Sequence, residues 1–399
     1  MRGRQRRFST GFDWGPAPKP PRYFQQERSR GVRDQAFEIF LTVQPGLEEV
    51  LANEAREAGF NVTGQVSGGV LIAGLWPEVW RANLTLRGAG RVLVRVAEFR
   101  AMHLAQLDKR ARKVDWGAVL RPDVAVRVEA TCRGSRIYHN KAAGQRVARA
   151  ITEELGAPIE AKAGLRVMVR IEDDLCTISL DSSGAPLHQR GLKQAVSKAP
   201  MRETLAALFL RQCGYQTGEA LVDPMCGSGT FVLEAAERTA GLHPGRARPF
   251  AFEQMASFDA ERWAQMKRGA AATSGCVGFG SDRDQGAVQK AVANADRAGV
   301  AELCHFATKP ISEARPPDTP PGLIMVNPPY GTRIGNKKLL YGLYAALGDT
   351  ARTHFRGWRL GLVTSDAGLA RATGLPFDPP GPYIDHGGVK IRLHQTGPL

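Results

Sequence analysis

Asn327 opens the stretch "NPPY", in which an amide, Pro328, Pro329 and Tyr330 follow the apolar run "GLIMV". Neither proline can donate to a β-ladder, so the pair ends the strand and stiffens the chain beyond it. The Asn327 side-chain oxygen and the Pro328 carbonyl are two acceptors that could bind both hydrogens of a planar NH2 group. Tyr330 could stack on the ring that bears this amine. A purely structural turn is the alternative.

A second stretch, "DPMCGSGTF", follows the strand pattern "EALV". Gly227 and Gly229 let a ligand approach the backbone closely, and the helix predicted to begin at Gly227 would point N–H groups at it. The chain lacks a G-x-x-x-x-G-K-[ST] phosphate loop, and Val232 replaces the third glycine of a dinucleotide fingerprint. A tight turn is the alternative. The candidate cofactor contacts here are Asp223, Pro224, Cys226, Gly227, Gly229 and Thr230.

A third stretch, "GFGSDRD", ends the next predicted strand. Acidic residues after the second strand of nucleotide-binding sheets accept hydrogen bonds from ribose hydroxyls. We assign this role to Asp282. Asp284 is a further candidate cofactor contact, although it could instead cap the helix that follows, and the two roles can coexist.

The elements around these stretches alternate short apolar strands with helices from Glu219 onward. This pattern predicts an α/β fold with a doubly wound, mostly parallel sheet over residues 187–399, closed by the β-hairpin "YIDHGGVKIRLHQT". Ligands bind beyond the carboxyl ends of the strands in such sheets. The three stretches should therefore line one cleft, and Asn327 could contact the cofactor as well as the amine.

The front half has a different pattern. Residues 36–101 read as strand, helix, two strands, helix and strand, which indicates a small α+β unit. Residues 102–186 form a second mixed block with a cluster of basic side chains. This cluster is either a solvated helix face or a phosphate-contacting surface. The candidate phosphate-contacting residues, and thus the candidate contacts of a nucleic acid, are Arg133, Arg136, His139, Lys141 and Arg146.

Charge and composition narrow the class of protein. The net charge is +15, and residues 1–34 hold nine basic and three acidic residues in a Pro-, Gly- and Arg-rich segment. We predict that this basic tail is disordered and that the protein binds a polyanion. No apolar run could span a membrane. The six cysteines form no C-x-x-C pair or Cys/His cluster, which predicts a cytoplasmic protein with reduced thiols and no metal.

The order of "DPMCGSGTF", "GSDRD" and "NPPY" resembles the class I S-adenosylmethionine-dependent methyltransferases that act on exocyclic amino nitrogens. Residues 36–396, above all the junction "DSSGAPLHQRGLK…APMRETLA", resemble the THUMP-containing guanine-N2 RNA methyltransferases of the bacterial large-subunit ribosomal RNA type. The resemblance implies S-adenosylmethionine as cofactor and guanosine N2 in 23S rRNA as the methylated atom. It also implies a ferredoxin-like α+β domain over residues 36–101 and a THUMP RNA-binding domain over residues 102–186.

Several alternatives stay open at this stage. The same architecture serves guanine-N2 methylation of tRNA, and a non-catalytic RNA-binding or ribosome assembly factor could retain the fold. DNA-adenine and protein-glutamine methyltransferases also carry "NPPY", but the front half is of the RNA type. The stretch "ATKPIS" offers no acid after the third strand, where relatives often hold the adenine. For the oligomeric state we expect a monomer.

Overall fold

The computed structural model describes residues 36–193, 201–268, 275–330 and 337–399. The predicted disordered tail and residues 194–200 of the junction motif lie outside the described residues. The strands are β1 (Phe37–Thr42), β2 (Asn61–Val66), β3 (Gly69–Gly74), β4 (Val92–Arg100), β5 (Val126–Arg133), β6 (Leu165–Glu172), β7 (Leu175–Asp181), β8 (Leu221–Asp223), β9 (Gly278–Asp282), β10 (Cys304–Thr308), β11 (Leu323–Val326), β12 (Arg359–Thr364), β13 (Ile384–His386) and β14 (Val389–Gln395). The α-helices are α1 (Glu48–Glu57), α2 (Trp76–Thr85), α3 (Leu104–Ala111), α4 (Asn140–Leu155), α5 (Glu203–Gln212), α6 (Thr230–Thr239), α7 (Ala260–Met266), α8 (Gln285–Ala298), α9 (Lys337–His354) and α10 (Ala367–Ala372).

The front half is built on one sheet with strand order β2-β3-β1-β4-β7-β6-β5. The ferredoxin-like unit supplies β1 to β4, and β4 pairs antiparallel with β7 of the following block. Both sequence-defined units therefore share a continuous sheet. The pair β5–β6 is parallel, whereas its neighbours are antiparallel, because α4 crosses over between these two strands.

The second sheet has strand order β10-β9-β8-β11-β12-β14-β13. The strands from β10 to β12 are parallel, and β14 runs antiparallel to both β12 and β13. This is the predicted doubly wound sheet with a closing hairpin, so the predicted fold class is confirmed. One boundary differs from the prediction. Helix α6 begins at Thr230 rather than Gly227, because Gly227 and Gly229 adopt left-handed backbone angles that a right-handed helix cannot include.

The two halves pack through an aromatic cluster. Trp80 of α2 stacks on Phe252, with ring centroids 6.2 Å apart, and Phe252 meets Trp263 of α7 edge-on at 5.0 Å. Phe252 lies in the insertion "RPFAFEQMASFD", so this insertion joins the front half to the second half of the chain. Among the described residues, no helix combines the length and apolar character that a bilayer crossing requires.

Candidate cofactor and amine site

The three chemistry-bearing stretches lie at the carboxyl ends of the neighbouring strands β9, β8 and β11. Two hydrogen bonds join the first two stretches. The Cys226 N–H donates to the Ser281 carbonyl at 2.9 Å, and the Gly227 N–H donates to Asp282 Oδ2 at 3.0 Å. The loop after β8 is therefore held against the end of β9, and the predicted convergence of these two stretches is present in the fold.

The glycine loop forms a tight cradle. Gly227 and Gly229 have φ values of 54° and 85°, which side chains adopt only with strain. A Cβ added at Gly229 would lie 3.1 Å from the Ala291 Cβ, so space also excludes a larger residue. Ser228 Oγ is buried and has no hydrogen-bond partner among the described residues. A cradle with such a buried hydroxyl fits a polar ligand at the start of α6.

The two acids after β9 have different partners. Asp282 accepts from Gly227 N–H through Oδ2 and from Asp284 N–H through Oδ1, at 3.0 Å each. Asp284 is exposed and caps α8 by accepting from Gly286 N–H at 2.9 Å. Asp284 therefore has the capping role that the sequence left open. Each Asp282 oxygen keeps a second lone pair for a ligand hydroxyl.

The other predicted loop residues lie beneath the cradle. Asp223 is 2% exposed and accepts from Met225 N–H. Burial, reinforced by the nearby Asp282 charge, raises the pKa of the Asp223 carboxyl well above its usual value. Pro224 is buried, and the Cys226 thiol faces inward against Gly280, where a Cβ would lie 3.1 Å from the sulfur. Pro224 and Cys226 thus shape the loop from below.

The amide of the "NPPY" stretch directly follows β11, next to β8. Asn327 Oδ1 is buried and has no hydrogen-bond partner among the described residues. Pro328 is buried, Pro329 is exposed, and Tyr330 is half-buried against the hydrophobic core. A buried amide oxygen without a partner is rare because it has lost its hydration. It therefore fits an acceptor reserved for a ligand.

Sequence reasoning missed the support of this stretch by α9. The Tyr344 side chain is fully buried, and its hydroxyl lies 3.4 Å from the Pro329 carbonyl and 3.2 Å from Thr364 Oγ1. Burial raises the pKa of the Tyr344 phenol, so the hydroxyl stays protonated. The apolar pattern of α9 marks this tyrosine only as a core residue, because its polar partner is far away in sequence.

Sequence reasoning also missed the contact of Lys193 with the start of α6. Lys193 Nζ donates to Thr230 Oγ1 at 2.7 Å and pairs with Glu203 at 3.2 Å. The hydroxyl of Thr230, a predicted cofactor contact, thus already accepts a hydrogen bond from a buried lysine. Burial lowers the pKa of Lys193, and the Glu203 carboxylate opposes this shift.

The predicted RNA-contacting residues lie at the end of β5 and the first turns of α4. Arg133, Arg136, His139 and Lys141 are exposed, whereas Arg146 is half-buried one helical turn further along. Arg136 faces Asp174 at 3.8 Å, and the ring of His139 lies 4.1 Å from that of Tyr138, measured between centroids. The four exposed residues share one surface around residues 133–141.

Two family descriptions match this chain. The family described as "RMKL-like, methyltransferase domain" matches residues 190–375, and the "RlmL ferredoxin-like domain" matches residues 38–93. The second range covers the part of the first sheet from β1 to the start of β4, and the first range covers β8 to β12 of the second sheet. The first contains the glycine loop, the acid after β9 and the "NPPY" stretch.

Curated relatives and a solved structure extend this similarity. "Putative RNA methyltransferase slr0064" of Synechocystis sp. is 30% identical over 89% of this chain and 95% of the relative. "Ribosomal RNA large subunit methyltransferase K/L" of Syntrophotalea carbinolica is 34% identical over 86% of this chain, which spans 51% of that relative. The chain thus spans about half the length of the K/L relatives. The structure of "a possible methylase from Clostridium difficile 630" superposes with a TM-score of 0.83 at 28% identity, covering 92% of this chain and 99% of the other.

Proposed function

The chain belongs to the RMKL-like methyltransferase family with an RlmL-type ferredoxin-like domain, and from this premise we propose that it methylates the N2 amine of one guanosine in large-subunit (23S) rRNA. S-adenosylmethionine is the cofactor. The observation that carries the proposal is Asn327 Oδ1, which is buried at the end of β11 without a hydrogen-bond partner among the described residues, beside the strand that leads into the glycine cradle.

The chemistry of an exocyclic amine explains this acceptor. The NH2 group of guanine is conjugated to its ring and is a weak nucleophile. Asn327 Oδ1 and the Pro328 carbonyl accept its two hydrogens, turn the nitrogen lone pair toward the methyl donor and stabilise the positive charge that grows on nitrogen. Tyr330 stacks on the base once the base has left its helix. The Tyr344 hydroxyl donates a hydrogen bond to the Pro329 carbonyl and so helps to fix the backbone of the two prolines.

The cradle supplies the donor side. S-adenosylmethionine, when bound, supplies a methyl group on a positively charged sulfur. Asp282 remains able to accept from ribose hydroxyls, and the Gly227–Gly229 backbone admits the ligand to the start of α6.

The front half supplies RNA affinity in this proposal. The exposed basic residues around 133–141 neutralise backbone phosphates, while the net charge of +15 attracts the polyanion over longer distances. We propose ribosomal RNA as the substrate because the K/L relatives are named as methyltransferases of large-subunit ribosomal RNA.

The decisive experiment maps methylguanosine in RNA from a strain that lacks this protein. We expect mass spectrometry to find one N2-methylguanosine missing from 23S rRNA, and purified protein with S-adenosylmethionine to restore it. A loss confined to tRNA would move the substrate to tRNA and retain the chemistry. An unchanged set of methylguanosines in both RNAs would contradict the proposal and favour a non-catalytic RNA-binding role.

A further inference from the structure

Tyr138 is the most exposed large apolar side chain in the described part of the chain, with 71% of its surface accessible. Its ring lies 4.1 Å from that of His139, which is also exposed. The neighbouring Ile137 is 4% exposed and anchors the loop in the core. The rings of Tyr138 and His139 are therefore exposed directly beside the buried Ile137, although burial of the tyrosine would have been favourable.

Basic side chains flank this ring pair. The Arg136 side chain is 69% exposed, and Lys141 and Arg133 are exposed as well. The acids on this surface are Asp173 and Asp174 of the β6–β7 turn, which are offset by these cations and by the exposed Arg100. Rings with cations beside them are the usual composition of a surface that binds unpaired nucleotides.

A strained turn holds the loop in place. Asp173 and Asp174 have φ values of 48° and 63° and are the only non-glycine residues with positive φ in the described ranges. A two-residue hairpin of this type favours Asn-Gly, so two aspartates carry a steric cost. In return, Asp174 Oδ1 accepts from Arg136 N–H at 2.8 Å, and Asp174 N–H donates to Ser135 Oγ at 3.0 Å.

A further hydrogen bond closes the loop between β5 and α4 at its base. Asn140 Oδ1 accepts from Cys132 N–H at 2.8 Å, so the first residue of α4 is hydrogen-bonded to the end of strand β5. Ser135 Oγ also donates to the Arg133 carbonyl at 2.8 Å. The ring pair is therefore displayed by a loop that is held on both sides, and little conformational entropy would be lost on binding.

We propose that Tyr138 and His139 form a stacking platform for an unpaired base of the substrate RNA, with Arg136 and Lys141 beside its phosphates and Asp174 as the positioning residue of the loop. This inference rests on the proposed function insofar as the RNA is a substrate. The base is separate from the target guanosine, which Tyr330 receives. A duplex cannot use the platform, because its base faces are already stacked.

The test compares the full-length variants Tyr138→Ala and Tyr138→Phe with the wild type. Fluorescence anisotropy measures binding of a short single-stranded RNA and of the same sequence as a duplex, without cofactor. We expect Tyr138→Ala to weaken single-strand binding about tenfold, as for removal of one base–aromatic stack, and to leave duplex binding unchanged. Tyr138→Phe should bind like the wild type. Tyr383→Ala, which removes an exposed tyrosine of the catalytic domain, is the matched control and should have no effect.

Equal effects on both RNAs, no effect of Tyr138→Ala, or no RNA binding by the wild type would each overturn the platform. Because the assay needs no methyl transfer, failure of the proposed function is recorded separately, as unchanged methylguanosine in the deletion strain. Asp174→Gly tests the positioning role. It relieves the strained φ, so the variant should unfold at the same or a higher denaturant concentration while binding single-stranded RNA about threefold more weakly. Wild-type affinity in this variant would remove Asp174 from the proposal.

Discussion

Helix α6 lies between two buried polar regions. In one, the buried side-chain oxygens have hydrogen-bond partners, and in the other they do not. On its junction side, Glu234 and Glu237 receive arginines at all four carboxylate oxygens. Arg190 donates to one oxygen of each glutamate. Arg87 donates to the other oxygen of Glu234, and Arg246 donates to the other oxygen of Glu237. On its cleft side, Ser228 Oγ and Asn327 Oδ1 are buried without partners among the described residues, and Asp223 is buried with an acid as its charged neighbour.

This difference separates stability from function. All four carboxylate oxygens of the two glutamates accept hydrogen bonds from arginines. Because Arg87 belongs to the front half, these ion pairs help to hold that half against the catalytic sheet. Buried polar atoms without partners cost free energy in the folded protein, and in the cleft a bound ligand would satisfy Ser228 Oγ and Asn327 Oδ1. Substitutions in the junction should therefore affect unfolding, whereas substitutions in the cleft should affect binding and rate.

The largest effect is expected for Asn327→Ala. Removal of the amide oxygen should lower methyl transfer by about 10³-fold, as for loss of a preorganised group that stabilises developing charge. Stability should not fall, because Asn327 Oδ1 has no partner to lose among the described residues. Transfer of labelled methyl to RNA and thermal unfolding measure the two quantities. Asn327→Asp keeps an acceptor and should retain more activity, whereas normal turnover by Asn327→Ala would disprove the acceptor role.

Arg190→Met should have the opposite profile. It leaves Glu234 buried with Arg87 alone and Glu237 buried with Arg246 and the more distant Arg87, and we expect a loss of about 3 kcal/mol in the free energy of unfolding. Urea denaturation measures this loss. Arg121→Met is the control, because Arg121 pairs with Asp123 at the surface and its loss should change the free energy of unfolding far less. Equal destabilisation by both variants would refute the contrast between the two kinds of ion pair.

Asp282→Asn should weaken cofactor binding by about tenfold to a hundredfold. Both carboxylate oxygens accept backbone N–H groups, and the new amide would turn a donor toward either Gly227 or Asp284. Isothermal titration with S-adenosylmethionine measures the change. Asp284→Asn retains the helix-capping oxygen and should bind the cofactor normally. An unchanged affinity in Asp282→Asn would reassign the ribose contact.

The smallest effect concerns pH. Burial raises the pKa of Asp223 in the folded protein, so folding favours the protonated acid. The contribution of Asp223 to stability is complete below the usual pKa of an aspartic acid and is lost as pH rises through the raised value. Asp223→Asn, which cannot ionise, should flatten this decline and add about 1 kcal/mol at pH 8. Urea midpoints at acid and alkaline pH test this, and parallel pH profiles for the two proteins would exclude Asp223 as the cause.

Local patterns predicted the positions of the strands and the motifs that follow them. Apolar runs ending in "DP", "SD" and "NPP" predict β8, β9 and β11, and the switch-point rule brings Gly227, Asp282 and Asn327 to one edge. The joining of β4 to β7 was not predictable, because pairing between distant strands leaves no periodic signal. Tyr344, Lys193 and the Arg190 network were missed for the same reason, since their roles depend on partners far away in the chain.

The most direct test is a crystal structure of the protein with S-adenosylhomocysteine and guanosine. Our account predicts the ligand's homocysteine at the Gly227–Gly229 cradle and the guanine N2 within hydrogen-bond distance, about 3 Å, of Asn327 Oδ1 and the Pro328 carbonyl. A ligand bound away from the cradle, or an Asn327 side chain directed away from the guanine amine, would contradict it.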